Sequence, residues 1–321
     1  MRKSRSAINK DYWGYIFIMP FIIIFVGFVL YPIANTFWLS LTNASLFNPG
    51  MSGEFVGLDN FRMLFNQNLF RRAVSNTWLI WLGNFIPQLF LALTLAAMFA
   101  STTFRIRGAG FFKAMYFLPN LLMPVTIAAL FSSYLALHGP ANQFLVASLG
   151  IMDEPRNFLG FPLDARITVM FLQTWIWFGQ TAIVLVAGMT SISPAYYESA
   201  MIDGASQIKM FFFITLPLLK PVMLFVLVTS FVGGMQMFDI PMLIGGPFGA
   251  PNHSVLTVNM FMNQWRSASA GGMIGPAASV SVVLFFMSSA VALILFNLFK
   301  EPSDEQYAKR MAKKAKKGAN A

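Results

Sequence analysis

The sequence predicts an all-α integral membrane protein with six transmembrane helices, and three observations carry that prediction. Only 11% of the 321 residues are charged, while 57% are hydrophobic and 16% aromatic; a soluble domain carries about 25% charged residues. So much apolar surface under so few charges would aggregate in water. The charges are also separated by long runs that contain none, at residues 12–53, 73–104, 114–152, 167–197, 221–238, 240–265 and 267–299. Finally, these runs lack the period-two alternation of a membrane β-barrel. Other classes drop out on the same grounds. There is no Cys to build a disulfide scaffold, and the net charge of +10 is scattered between apolar runs rather than gathered on one face as nucleic-acid binding requires.

A helix needs about 20 apolar residues to cross a bilayer. The densest windows place six spans, at residues 13–33, 77–99, 115–137, 167–189, 221–243 and 277–298. The first is a membrane helix rather than a signal peptide, because its apolar run over 12–31 exceeds a signal core and no A-x-A site follows. With the N-terminus inside, sixteen Lys and Arg fall on cytoplasmic segments and six on outer ones, so the positive-inside rule puts both termini in the cytoplasm. The Lys- and Ala-rich tail reads as a solvated, headgroup-touching segment.

The long inner loop between the fourth and fifth spans has structure of its own. Ser193 is an N-cap candidate and Pro194 suits the first helical position. A short helix over 195–202 ends at Gly204, and an amphipathic helix over 207–216 runs up to Pro217. Helix, glycine turn and helix together form an element that a soluble partner below the membrane is able to grip; an interfacial helix on the headgroups is the bland alternative.

The spacing resolves that choice. Glu198-Ser199-Ala200, then Asp203-Gly204-Ala205, then, eight residues on, Ile214-Thr215-Leu216-Pro217 resembles the EAA loop of ABC importer permeases, E-A-A-x-x-D-G-A-x8-I-x-L-P. Only Ser199 departs, where Ala is usual. Shorter stretches, Arg72 to Thr77, Phe117-Leu118-Pro119, Gln236 to Asp239 and Leu243 to Pro247, resemble the first of the two permease types in the carbohydrate branch.

The resemblance implies a type I ABC importer permease fold and four segments: a basic cytoplasmic N-terminus (1–11), a first helix with its outer loop (12–71), a five-helix permease core (72–299) holding the EAA loop at 193–220, and a basic cytoplasmic tail (300–321). It implies a transport subunit of the plasma or inner membrane, not an enzyme, importing a sugar or oligosaccharide as half of a translocation pathway. Implied partners are a second, different permease, an ABC ATPase dimer, an extracytoplasmic sugar-binding protein and membrane lipid, with no nucleic acid. The chain has no Walker A pattern, so it binds no cofactor itself, and ATP and Mg belong to the partner ATPase. Glu198 would carry a charge at the joint, Gly204 the turn, and Asp203 either stabilises that turn or caps the second helix.

No catalytic set or metal site is visible, since His138 and His253 sit alone in outer loops. A sugar pathway needs hydrogen-bonding side chains and flat aromatic faces at membrane depth. Candidates are Asn84 and Gln88 on the second span, Gln173, Trp175, Trp177 and Gln180 on the fourth, and Gln236 and Asp239 on the fifth. For the amides, helix-to-helix bonding is the competing role. Asp239, an acid within a late span, is a functional candidate by default. Pro87, Pro119, Pro124 and Pro241 are expected to loosen or bend their helices. Two other readings stay open: a secondary carrier or channel using Asp239, and an ABC permease for a non-sugar solute.

Overall fold

The computed structural model describes residues 11–48, 50, 53–101 and 106–299. The basic termini read at 1–11 and 300–321 lie outside these residues apart from Asp11. Among the described residues every regular element is a helix, and strand pairing is limited to isolated bridges between Thr42 and Phe55 and between Ser45 and Met273.

The first helix, α1 (Gly14–Ser40), extends beyond the expected 13–33. It widens into a π turn at Val26–Leu30. The cause is Pro32, whose ring would otherwise collide with the Phe28 carbonyl four residues back. Its apolar side chains point out on all sides, as suits a helix solvated by lipid or by a second membrane protein. There follow α2 (Asp59–Asn66) and α3 (Asn68–Phe99). Pro87 lies inside α3 without interrupting it.

The third expected span, 115–137, is not one helix. It divides into α4 (Ala109–Leu121) and α5 (Pro124–Tyr134), bent by 89°. Pro124 forbids the helical conformation to the residue before it, and Leu122 and Met123 are both extended. Among the described residues, five helical stretches are long and apolar enough to cross a membrane when Lys220–Gly245 is counted as one, or six if this bent pair is also one span.

Next come α6 (Pro162–Thr190), α7 (Pro194–Ile202), α8 (Gln207–Leu218), α9 (Lys220–Met235) and α10 (Asp239–Gly245). Last are the amphipathic α11 (Val258–Arg266) and α12 (Ile274–Phe299). A π turn at Phe211–Thr215 within α8 precedes Pro217 as that of α1 precedes Pro32, with Phe213 at its centre as the carbonyl to be spared.

The chain forms two compact units, one of the residues up to Arg72 with Val258–Phe285, the other of Ala73–Thr257 with the chain from Phe286. In the first, the buried Asn60 amide donates to the carbonyls of Ser40 and Thr42, each at 2.8 Å, and Phe261 packs between Phe70 and Trp265.

In the second, α6 is the central helix and buries Val169, Leu172, Ala182 and Leu185. Gly179 lets α4 lie directly on it, because a Cβ there would run into the Tyr116 carbonyl oxygen. Polar knots tie the rest. The Thr174 hydroxyl donates to the Asn84 carbonyl at 3.0 Å, and Gln88 Nε2 to Thr181 Oγ1 at 2.8 Å, joining α6 to α3. Beyond α10, the Asn76 amide donates to the carbonyls of His253 and Leu256, at 2.7 and 3.1 Å. Its oxygen accepts from Arg166 Nη2 at 3.0 Å, while Arg166 Nε reaches the Ser254 carbonyl at 2.8 Å. This knot satisfies the carbonyls of a loop that buries Val255 and Leu256, where an unpaired carbonyl is costly.

Candidate functional site

A cavity of about 400 Å³ opens in the second unit between α3, α6, α9 and the start of α10. Asn84, Gln88, Gln173, Trp177, Gln180, Gln236 and Asp239, singled out from three separate spans, all lie on its wall. Trp175 does not, and packs edge-on against Phe131 instead.

Each helix delivers its residues by simple periodicity. Trp81, Asn84 and Gln88 recur at helical spacing on α3, as do Gln173, Trp177, Gln180 and Val184 on α6 and Val226, Thr229, Ser230 and Gly233 on α9. Trp81, Thr229 and Ser230 went unremarked in the sequence, although the same spacing reaches them. Trp81 is held flat against Phe85 while its indole N–H donates to the Ser230 carbonyl at 3.1 Å. Gly234 makes that possible, since a Cβ there would enter the Trp81 ring.

The fourth wall arises from a break. A helix continuous through 236–238 would drive the Pro241 ring into the Met237 carbonyl. The helix stops at Met235 instead and restarts at Asp239. Pro241 then falls in the first turn of α10, where no N–H is required. The buried Thr257 hydroxyl takes up the freed Met237 carbonyl at 2.9 Å. The break turns Gln236 and Asp239 onto the cavity wall. Gln88 and Gln173 are spent partly on the protein itself, the second accepting from the Trp177 indole at 3.1 Å. The result is a mainly apolar wall set with amides, hydroxyls and indoles, with Asp239 as its single charged residue, and a volume within the range of small-molecule sites.

The second site is the helical corner at 193–218. Ser193 and Pro194 open α7 as expected. The helix closes in a Schellman motif: Ala205 N–H bonds to the Ala200 carbonyl at 2.9 Å and Gly204 N–H to that of Met201 at 3.1 Å. Gly204 has φ of +74°, a conformation in which side-chain-bearing residues are strained. Asp203 is the C-cap residue of α7 and does not cap α8; Ser206, three residues on, does so by accepting from Lys209 N–H. Ser199 bonds its hydroxyl to the Ala195 carbonyl at 2.6 Å, so the departure from Ala leaves no unpaired group. Glu198, Asp203, Gly204 and Pro217 are exposed, while Ala200, Ala205, Ile214 and Leu216 are half-buried. α7 buries none of its residues.

His253 bonds its ring nitrogen Nδ1 to the Phe248 carbonyl at 2.8 Å, and no cluster of His, Asp and Glu fit for a metal ion occurs among the described residues.

A membrane protein whose helices enclose a largely apolar cavity set with amides and hydroxyls, and leave an exposed helical corner at one loop, has the parts of a permease subunit, and comparison with known proteins agrees. The family of binding-protein-dependent transport system inner membrane components matches residues 77–300, and the chain belongs to it. It is 33% identical to the lactose transport system permease LacF of Rhizobium radiobacter, over 93% of this chain and 98% of that one. The trehalose/maltose permease MalF of Thermococcus litoralis is 27% identical over 92% of this chain and 97% of its own length. Among solved structures, a bacterial ABC transporter that imports the acidic polysaccharide alginate superposes with a TM-score of 0.72 at 22% identity, covering 92% of this chain and 98% of that one. The fold is therefore that of an ABC importer permease, and the protein is a multi-pass transport subunit of the membrane.

Proposed function

We propose that this chain forms half of the pathway by which a sugar or oligosaccharide is imported, with ATP and Mg bound by a separate ATPase dimer that grips the corner at 193–218. The observation that carries the reading is the cavity wall. Amides and hydroxyls match sugar hydroxyls, and the exposed Trp177 indole offers a flat face to a pyranose ring. The absence of Lys and Arg from that wall, with Asp239 on it, favours an uncharged cargo. The lactose and trehalose/maltose permeases among the relatives support the class of substrate.

The full assembly in this reading contains a second, different permease, the ATPase dimer and an extracytoplasmic binding protein. The chain crosses six times, with α4 and α5 counted as one broken span, and both termini lie in the cytoplasm. Alternating access is a rigid-body motion driven through the corner. The test is a gentle detergent pull-down from the native membrane with the companions identified by mass spectrometry. A Walker-motif ATPase and a second six-span chain are expected. Recovery of this chain alone, even after crosslinking, overturns the importer reading and favours an ion-coupled carrier using Asp239.

A further inference from the structure

We infer that a hydrogen bond between Tyr197 and Thr215 is the latch that makes α7 and the root of α9 one moving body, so that Tyr197 is a positioning residue for energy coupling. The inference rests on the importer reading above and deepens it.

Little holds α7 in place. It buries none of its residues, and its end is a glycine turn whose outer side is open, with no atom within 4 Å of where a Cβ would stand. Backbone bonds fix the turn itself, not the angle between the two helices that leave it. Across the corner, the Tyr197 hydroxyl lies 2.9 Å from Thr215 Oγ1. Tyr197 is half-buried between exposed Tyr196 and Glu198.

Thr215 is itself buried and closes the π turn that Pro217 imposes. Its hydroxyl also lies 3.4 Å from the Met210 carbonyl, and in the latch either hydroxyl can donate to the other. Its own carbonyl accepts from Leu219 N–H at 2.9 Å, at the root of α9. Leu219 is fully buried, and with Val222 it meets α6 at Gly188, where a Cβ would touch both side chains. α9 then runs to the cavity, lining it from Phe225 to Gly234. A push on α7 thus reaches the cavity wall through Tyr197, Thr215 and Leu219. Without the Tyr197 hydroxyl, α7 pivots about Gly204 and the push is lost in the turn.

The chain has no Cys, so one introduced thiol is unique within it. In the purified full complex, Val184→Cys on the cavity wall is carried in every variant, and its labelling by a membrane-impermeant maleimide is followed on this chain with and without ATP and vanadate. Tyr197→Phe and Thr215→Val are each expected to shrink the nucleotide-dependent change in labelling by about five-fold, the weight of one hydrogen bond, while ATP hydrolysis continues. Thr215→Ser should restore the change, and the double variant should be no worse than either single one. An undiminished change in Tyr197→Phe overturns the latch, as does a fall of hydrolysis and labelling in equal proportion, which marks a structural role. No nucleotide-dependent change in the Val184→Cys parent overturns the importer reading itself, and the latch with it.

Discussion

Gly204 is where a single side chain would do most harm to coupling with least harm to folding. It sits at φ +74° as the first residue beyond the C-cap of α7, and no atom lies within 4 Å of the place a Cβ would take. The whole cost of substitution is therefore conformational. A side-chain-bearing residue in the left-handed region pays about 1–2 kcal/mol, with β-branched residues at the top and Asn near the bottom. Gly204→Val should thus cost about 2 kcal/mol in the turn alone, enough to shift the corner away from the Schellman geometry by ten-fold or more, since about 1.4 kcal/mol is a factor of ten. The expected outcome is a ranked series in ATP-driven uptake by the reconstituted complex, Gly204 and Gly204→Asn alike, Gly204→Ala lower and Gly204→Val lower by about ten-fold. Insertion and yield should be equal throughout. Uptake by Gly204→Val at the parent rate, or Asn as damaging as Val, would refute the reasoning.

Other outcomes follow from the same contacts. Asp239→Asn removes the one charge on the cavity wall, yet ATP-driven uptake should persist within about five-fold and ignore protonophores; uptake that instead collapses with the ion gradient points to the carrier. Asn76→Ala takes a partner from two carbonyls and from Arg166 Nη2 and should cost about 2–4 kcal/mol, read as a lowered unfolding midpoint in detergent, although the Thr174–Asn84 and Gln88–Thr181 bonds stay in place. Gly179→Ala puts a methyl group against the Tyr116 carbonyl, so the folded yield by size-exclusion should already fall sharply, and Gly179→Leu should give none.

The residues explain which of these features the sequence announces. Membrane residence follows from composition, and the helical class from the absence of period two, because both depend on averages over many residues. The corner at 193–218 was legible in detail for a different reason. Pro at the first position and the terminating Gly act on backbone within a few residues, and the structure keeps both, while Ser193 stands at the N-cap position without a side-chain bond to the helix. Asp203 failed as the cap of α8 because Ser206 stands one position before that helix, where the side chain reaches Lys209 N–H. The prolines were half legible. Each removes one N–H, but Pro87 stays inside an unbroken helix while Pro124 sits at an 89° bend.

The sequence by itself determined that the chain lives in a membrane, that its apolar runs fold as helices, and that a helical corner interrupts them at 193–218. Tertiary structure alone decided that Asn84, Gln173 and Asp239 meet at one cavity, that Thr257 frees Met237 to break a helix, and that Tyr197 reaches Thr215. The reason is the solvent. In water a helix betrays its inner face by polarity, but lipid is as apolar as the protein interior, so the spans are hydrophobic all round and their facing surfaces are written only in how they pack.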